Sequence, residues 1–333
     1  MGMKRSGLLT ALACFLIVMT AVAFYIKFIN LSSSQVKIVP FADSPGIEAY
    51  PAFSPEGDQI AYAWNGPDRT DYHLYVKRIG AGAPIRLTRS TGNHIHPTWS
   101  PDGRRLAFLR FSGRESGICQ IPAQGGVEQR LLAIDPSRMG NGLDWSPDGG
   151  FLVYACRTSM NTPAVIRLLS LEDRENRQIS FPPEITLGDD GPRISPDGRW
   201  VAFRRSFSYT ASDIFIIPSA GGRQKRVTLD NQEITDLAWS PDGSEIIFSS
   251  GRGGGPGRLL RTQLRGGESR SIPRVGGDAA SIAVSKKGRR LAYAKWGTSA
   301  GLLKDGIPGK EGQAAKRPGE AGELDIHLVE NFR

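Results

Sequence analysis

The sequence predicts an all-β fold: a six-bladed β-propeller of four-stranded antiparallel blades, with an N-terminal transmembrane helix. Three observations predict it. A ten-residue pattern built on Ser-Pro-Asp-Gly recurs six times in one phase. The chain has 40 glycines and 22 prolines among 333 residues, well above the roughly 12 % of average usage, as a turn-dense chain requires. A run of 20 uncharged residues, 7–26, stands ahead of the first repeat.

Composition removes several function classes. The net charge is +9, from 42 basic and 33 acidic residues. No run of five or six like charges occurs, so the excess reads as a solvated Arg-rich surface and no nucleic-acid partner is expected. Three cysteines exclude a disulfide scaffold, and four histidines leave little room for metal chemistry. No metal or cofactor is expected.

The apolar run GLLTALACFLIVMTAVAFYI matches the ~20 helical residues that cross a bilayer core. Lys4, Arg5 and the α-amine precede it and only Lys27 follows closely. The positive-inside rule then puts the N-terminus in the cytoplasm and the rest outside. Ala21-Val22-Ala23 resembles a signal-peptidase site, but the apolar core is too long for a signal peptide. An uncleaved anchor over residues 1–29, then a linker over 30–34, is the expectation. Cys14 lacks a proper lipobox and reads as an apolar residue of the span. Only six residues precede the run, so no domain of this chain is expected in the cytoplasm.

The repeats are FSPEGDQIAY, WSPDGRRLAF, WSPDGGFLVY, ISPDGRWVAF, WSPDGSEIIF and VSKKGRRLAY. Their serines are Ser54, Ser100, Ser146, Ser195, Ser240 and Ser285, spaced by 46, 46, 49, 45 and 45 residues. Proline at the second turn position pre-sets φ, Ser and Asp bond nearby amides, and Gly closes the turn. Each turn therefore joins a hairpin. Third strands are expected at 74–79, 118–121, 165–169, 214–217 and 259–264. Fourth strands are expected at 85–88, 129–132, 177–180, 226–229 and 271–274. Residues 164–181 could pass for a helix, but their place in the repeat makes them strand, turn, strand. Four strands per ~45 residues match one propeller blade, which must stack on neighbours to bury its faces.

The sixth unit has a third strand, 326–329, and no fourth. The orphan strand 36–40 is expected to fill that place and close the ring. Residues 297–323, rich in Gly, Lys, Ala and Pro, read as a flexible surface insertion. Cys119 and Cys156 occupy different places in successive repeats and are expected as free, buried thiols.

On the S-P-[DE]-G turns and the degenerate Ser285-Lys286-Lys287-Gly288, residues 35–333 resemble the TolB-like, WD40-like β-propeller repeat family of bacteria. PAFSPEGDQIAYAWNG and YVKRIGAGAPIRLT look like extracytoplasmic propellers fused to winged-helix regulators or protein kinases in some soil bacteria. The resemblance implies an extracytoplasmic propeller. It implies neither transcription control nor phosphoryl transfer, because no such domain is in the sequence. The additional α/β domain of TolB is also absent.

No G-x-S-x-G elbow, P-loop or H-E-x-x-H motif occurs. The glycine-rich stretch 251–257 falls at a blade turn. His94 and His96 alternate on a strand and would share a face, yet no third metal ligand is near in sequence. Using the repeat as a ruler, the starts of the innermost strands border the central channel. Glu48, His94, His96, Asn141, Asp189, Asp190 and Asp236 are then the candidate ligand-binding residues at its mouth, suited to a basic peptide tail or a cation. The leading reading is a non-enzymatic scaffold or sensor on the outer side of the bacterial cytoplasmic membrane, with a protein or peptide partner in the cell envelope. The alternatives are a hydrolase or lyase using Asp189, Asp190 or Asp236 with His94, and a remnant of a transmembrane transcriptional regulator.

Overall fold

The protein is represented by a computed structural model. It describes Phe15 and residues 18–20, 37–42, 44–229, 231–251, 257–272, 275, 277, 279–287, 289–296 and 324–332. The chain divides into two units, Met1–Lys37 and Ile38–Arg333. In the first, Phe15, Val18, Met19 and Thr20 are helical and exposed. Among the described residues no helix is long and apolar enough to cross a membrane. The expected span over 7–26, the cleavage motif and Cys14 lie outside the described residues apart from those four positions, and so does the insertion at 297–323.

The described residues of the second unit form 24 strands in six four-stranded sheets. The first strand is β1 (Lys37–Ala42). Blade one comprises β2 (Glu48–Phe53), β3 (Gln59–Trp64), β4 (His73–Arg78) and β5 (Ile85–Arg86). Blade two comprises β6 (Asn93–Trp99), β7 (Arg105–Phe111), β8 (Gly117–Pro122) and β9 (Gln129–Ala133). Blade three comprises β10 (Met139–Trp145), β11 (Phe151–Cys156), β12 (Val165–Ser170) and β13 (Asn176–Gln178). Blade four comprises β14 (Gly188–Ile194), β15 (Trp200–Ser206), β16 (Ser212–Pro218) and β17 (Lys225–Arg226). Blade five comprises β18 (Ile234–Trp239), β19 (Glu245–Ser250), β20 (Arg258–Gln263) and β21 (Arg270–Ser271). Blade six comprises β22 (Ala279–Val284), β23 (Leu291–Trp296) and β24 (Leu324–Glu330), with β1 as its outer strand. The chain's first strand thus completes its last sheet.

The fourth strands are mostly shorter than the sequence predicts, for a local reason. The amides of Leu74, Ile166 and Ile214 donate to the hydroxyls of Thr88, Ser180 and Thr228 at 2.8–2.9 Å. A side chain there replaces the next rung of the ladder, and the strand ends. The helix-like stretch forms β12 and β13, as its place in the repeat requires.

The turns follow their chemistry. In four copies the serine hydroxyl donates to the aspartate two residues on, as Ser146 does to Asp148 at 2.6 Å, and accepts the amide five residues on, as from Phe151 at 3.0 Å. Eight residues past each serine stands an aromatic: Tyr62, Phe108, Tyr154, Phe203, Phe248 and Tyr293, all buried. Tyr62, Phe108, Tyr154, Phe203 and Phe248 pack between blades. One core cluster joins Ile60 and Tyr62 of blade one to Ala292 and Ile326 of blade six. Others join blades one and two, two and three, three and four, and four and five. The core lies in the seams, because one sheet cannot shield itself.

Polar links close the circle near the axis. Trp99 Nε1 donates to Ala52 O at 3.0 Å, Thr98 Oγ1 to Asp144 at 3.1 Å, and the Ile194 amide to Asp144 at 2.7 Å. Arg193 Nη2 donates to Asp236 at 3.0 Å, the Ile282 amide to Asp236 at 2.8 Å, and the Tyr50 amide to Ser281 Oγ at 3.2 Å. Each bond bridges a different pair of neighbouring blades, the last being six to one. Cys119 and Cys156 are buried free thiols.

Candidate binding site at the propeller axis

A repeated irregularity shapes the axis. The register shifts within the inner hairpin of all six blades, between Ala49 and Ala52 in blade one and between Ile95 and Thr98 in blade two, for example. The bulge falls around the residue four before the motif serine: Tyr50, His96, Gly142, Gly191, Asp236 and Ser281. All six line one cavity. In the first four, φ is positive: 56°, 53°, 99° and 60°. Tyr50 and His96 have no glycine freedom and each precedes a proline, so their backbones are held in a strained region by the surrounding sheet.

Two chambers lie along the axis. The upper one, of about 290 Å³, opens at the strand starts. The lower one, of about 380 Å³, opens among the Ser-Pro-Asp-Gly turns. Tyr50, His96, Arg193 and Asp236 line both and form the waist between them. The Tyr50 and His96 rings lie 4.0 Å apart. Burial, with Arg193 nearby, pushes the His96 pKa down to about 3, so its imidazole is neutral at physiological pH. Its Nε2 is buried and has no hydrogen-bond partner among the described residues. Burial, then Tyr72 and Asp236, pushes the Tyr50 phenol up to about 12. Asp236 accepts from Arg193 and from the amides of Leu237 and Ile282.

Residues 20–207 and 144–305 match the family model described as TolB beta propeller domain, PD40. The chain belongs to this family. It is similar to an uncharacterized peptidase of Bacillus subtilis, YuxL, with 28 % identity over 60 % of this chain and 29 % of that protein. It is similar also to the Tol-Pal system protein TolB of Bordetella pertussis, 32 % identical over 50 % of this chain and 36 % of that one. The chain therefore spans about a third of the length of each. Among solved structures, TolB from Acinetobacter baumannii superposes with a TM-score of 0.61 at 19 % identity, covering 83 % of this chain and 64 % of that one. That likeness shows the fold. Within residues 38–333 the described elements form this TolB-like propeller, and no DNA-binding domain is evident among them.

The propeller brings together four of the seven residues nominated from sequence. His96, Asn141, Asp190 and Asp236 line the upper chamber. Glu48, His94 and Asp189 do not. All three stand six residues before a motif serine and are fully buried off the axis. Glu48 lies beside Tyr62. His94 Nε2 is 2.9 Å from Ser90 Oγ and 3.5 Å from Glu128. Asp189 holds Arg205 at 2.6 and 2.8 Å. The shared face expected for His94 and His96 is therefore corrected: the regular pairing ends at Ile95, the bulge begins at His96, and the two rings meet different surroundings. Two carboxylates of the mouth carry partners within the protein. Asp190 is paired with Arg204 at 2.7 Å, and Asp236 with Arg193. Among the described residues no group of three or more His, Cys, Asp or Glu is placed to hold a metal. Sequence reasoning passed over Tyr50 and Arg193. The signal for Tyr50 was present in the recurring residue-before-proline at Tyr50-Pro51, His96-Pro97 and Gly191-Pro192.

Proposed function

We propose that this chain is a non-enzymatic binding propeller of the cell envelope, which takes a protein partner on the end of the ring where the upper chamber opens. The supporting observation is a set of exposed apolar side chains. Met160, Phe181, Ile185, Tyr209 and Leu229 are at least 69 % exposed. Met160 and Tyr209 lie on the loops from second to third strand in blades three and four. Phe181, Ile185 and Leu229 lie on the loops leading into the next blade. Antiparallel order places all of these loops at the end opposite the Ser-Pro-Asp-Gly turns, around the mouth of the upper chamber. Val127 and Ile85, also exposed, lie at the other end, so five of the seven exposed large apolar side chains described in the second unit share this one, a concentration that favours a protein contact.

Binding is favoured over catalysis because the carboxylates a hydrolase or lyase would use are held in ion pairs: Asp189 with Arg205, Asp190 with Arg204, Asp236 with Arg193. The name of the Bordetella relative, a Tol-Pal system protein, supports a role within an assembly. Residues 7–26 would anchor the chain in the cytoplasmic membrane, with the propeller outside; a reporter enzyme fused after Arg333 should be active only on that side. The partner is sought by pull-down from envelope extracts. Wild type should retain a protein that the triple variant Phe181→Ser, Ile185→Ser, Tyr209→Ser loses while keeping its melting temperature. Equal recovery by both, or no partner for either, contradicts the reading.

A further inference from the structure

We propose that the lower chamber is a separate binding site for a small organic carboxylate with an apolar body. It opens at the end of the ring away from the protein-binding face and does not depend on that reading. At about 380 Å³ it has the size of a small-molecule pocket. Its rim is the ring of turn prolines, Pro55, Pro101, Pro147, Pro196 and Pro241, with Lys286 in the sixth place. The walls carry Trp99, Trp145 and Trp239.

The polar groups not already engaged choose the ligand's charge. Asp144 accepts the Trp145 and Ile194 amides and the Thr98 hydroxyl; Asp236 accepts two amides and Arg193. The turn aspartates Asp102, Asp148, Asp197 and Asp242 stand one residue beyond the prolines, do not line the chamber, and bond their own serines and backbone amides. Lys287 pairs with Glu56. The lining groups left without a partner among the described residues include the exposed Lys286 ammonium at the rim and, at the floor, the buried His96 Nε2 and the Tyr50 hydroxyl. The degenerate sixth repeat thus sets one cation in a ring otherwise made of prolines, in the same chamber as a neutral imidazole. A carboxylate meets the first, an apolar body fills the walls, and a polar edge reaches the second.

The test titrates the full-length protein with three probes of one shape: 2-naphthoate, 2-naphthamide and 2-naphthylmethylammonium. Calorimetry should give one site, with naphthoate tightest. Lys286→Pro restores the residue of the other turns and should weaken naphthoate roughly fivefold, as for an exposed ion pair, while leaving the amide unchanged. Naphthoate should also shift the His96 Nε2 resonance in nitrogen-15 spectra. Failure of naphthoate to bind, equal or tighter binding of the ammonium or the amide, unchanged affinity in Lys286→Pro, or an unmoved His96 resonance would each overturn the proposal.

Discussion

Each blade is pinned by one hydroxyl. Ser146 is fully buried, donates to Asp148 and accepts the Phe151 amide. Ser146→Ala leaves that amide without its partner and should cost about 1–3 kcal/mol, read as a lower urea midpoint. The same geometry sets an acid response. Asp102, Asp148, Asp197 and Asp242 have pKa values lowered from 3.8, first by the serine hydroxyl and then by a backbone amide. A carboxyl depressed in the folded state contributes stability that is full above the unfolded value and lost as pH falls through the folded one. The variant with all four changed to Asn should therefore show a flatter fall in urea midpoint between about pH 5 and about pH 2 than wild type. At this scale the sequence showed which serines and aspartates shape the turns. It did not show which polar residues reach the axis, since period-two alternation assigns His94 and His96 one face and a following proline marks only three of the six bulges.

Within an element, the bulge makes glycine necessary at particular places. Gly142 has φ 99°, and a Cβ there would stand 2.8 Å from Gly191 Cα and Pro192 Cδ. Gly142→Ala should destabilise by more than about 1 kcal/mol, whereas Gly82→Ala, with nothing within 4 Å, should be near neutral in the same denaturation assay. Strand identity was legible almost throughout, because the turn motif fixes the phase of everything between two copies. This is why residues 164–181 were readable as two strands despite a helix-like composition. The lengths of the fourth strands were not legible: the hydroxyls of Thr88, Ser180 and Thr228 end the ladder from outside the apolar pattern.

For the whole molecule, stability lies in seams between sheets, and a ring of seams needs a shared first and last blade. The sixth repeat advertised this by lacking a fourth strand, and β1 fills the gap. If closure holds, β24 is an inner strand of its sheet and no longer an edge. Hydrogen exchange of the full-length protein across Leu324–Glu330 measures this directly. The closed ring predicts protection as slow as that of Val165–Ser170 and Ser212–Pro218, the third strands of blades three and four; exchange at the rate of a frayed edge, with those two strands still protected, would contradict it.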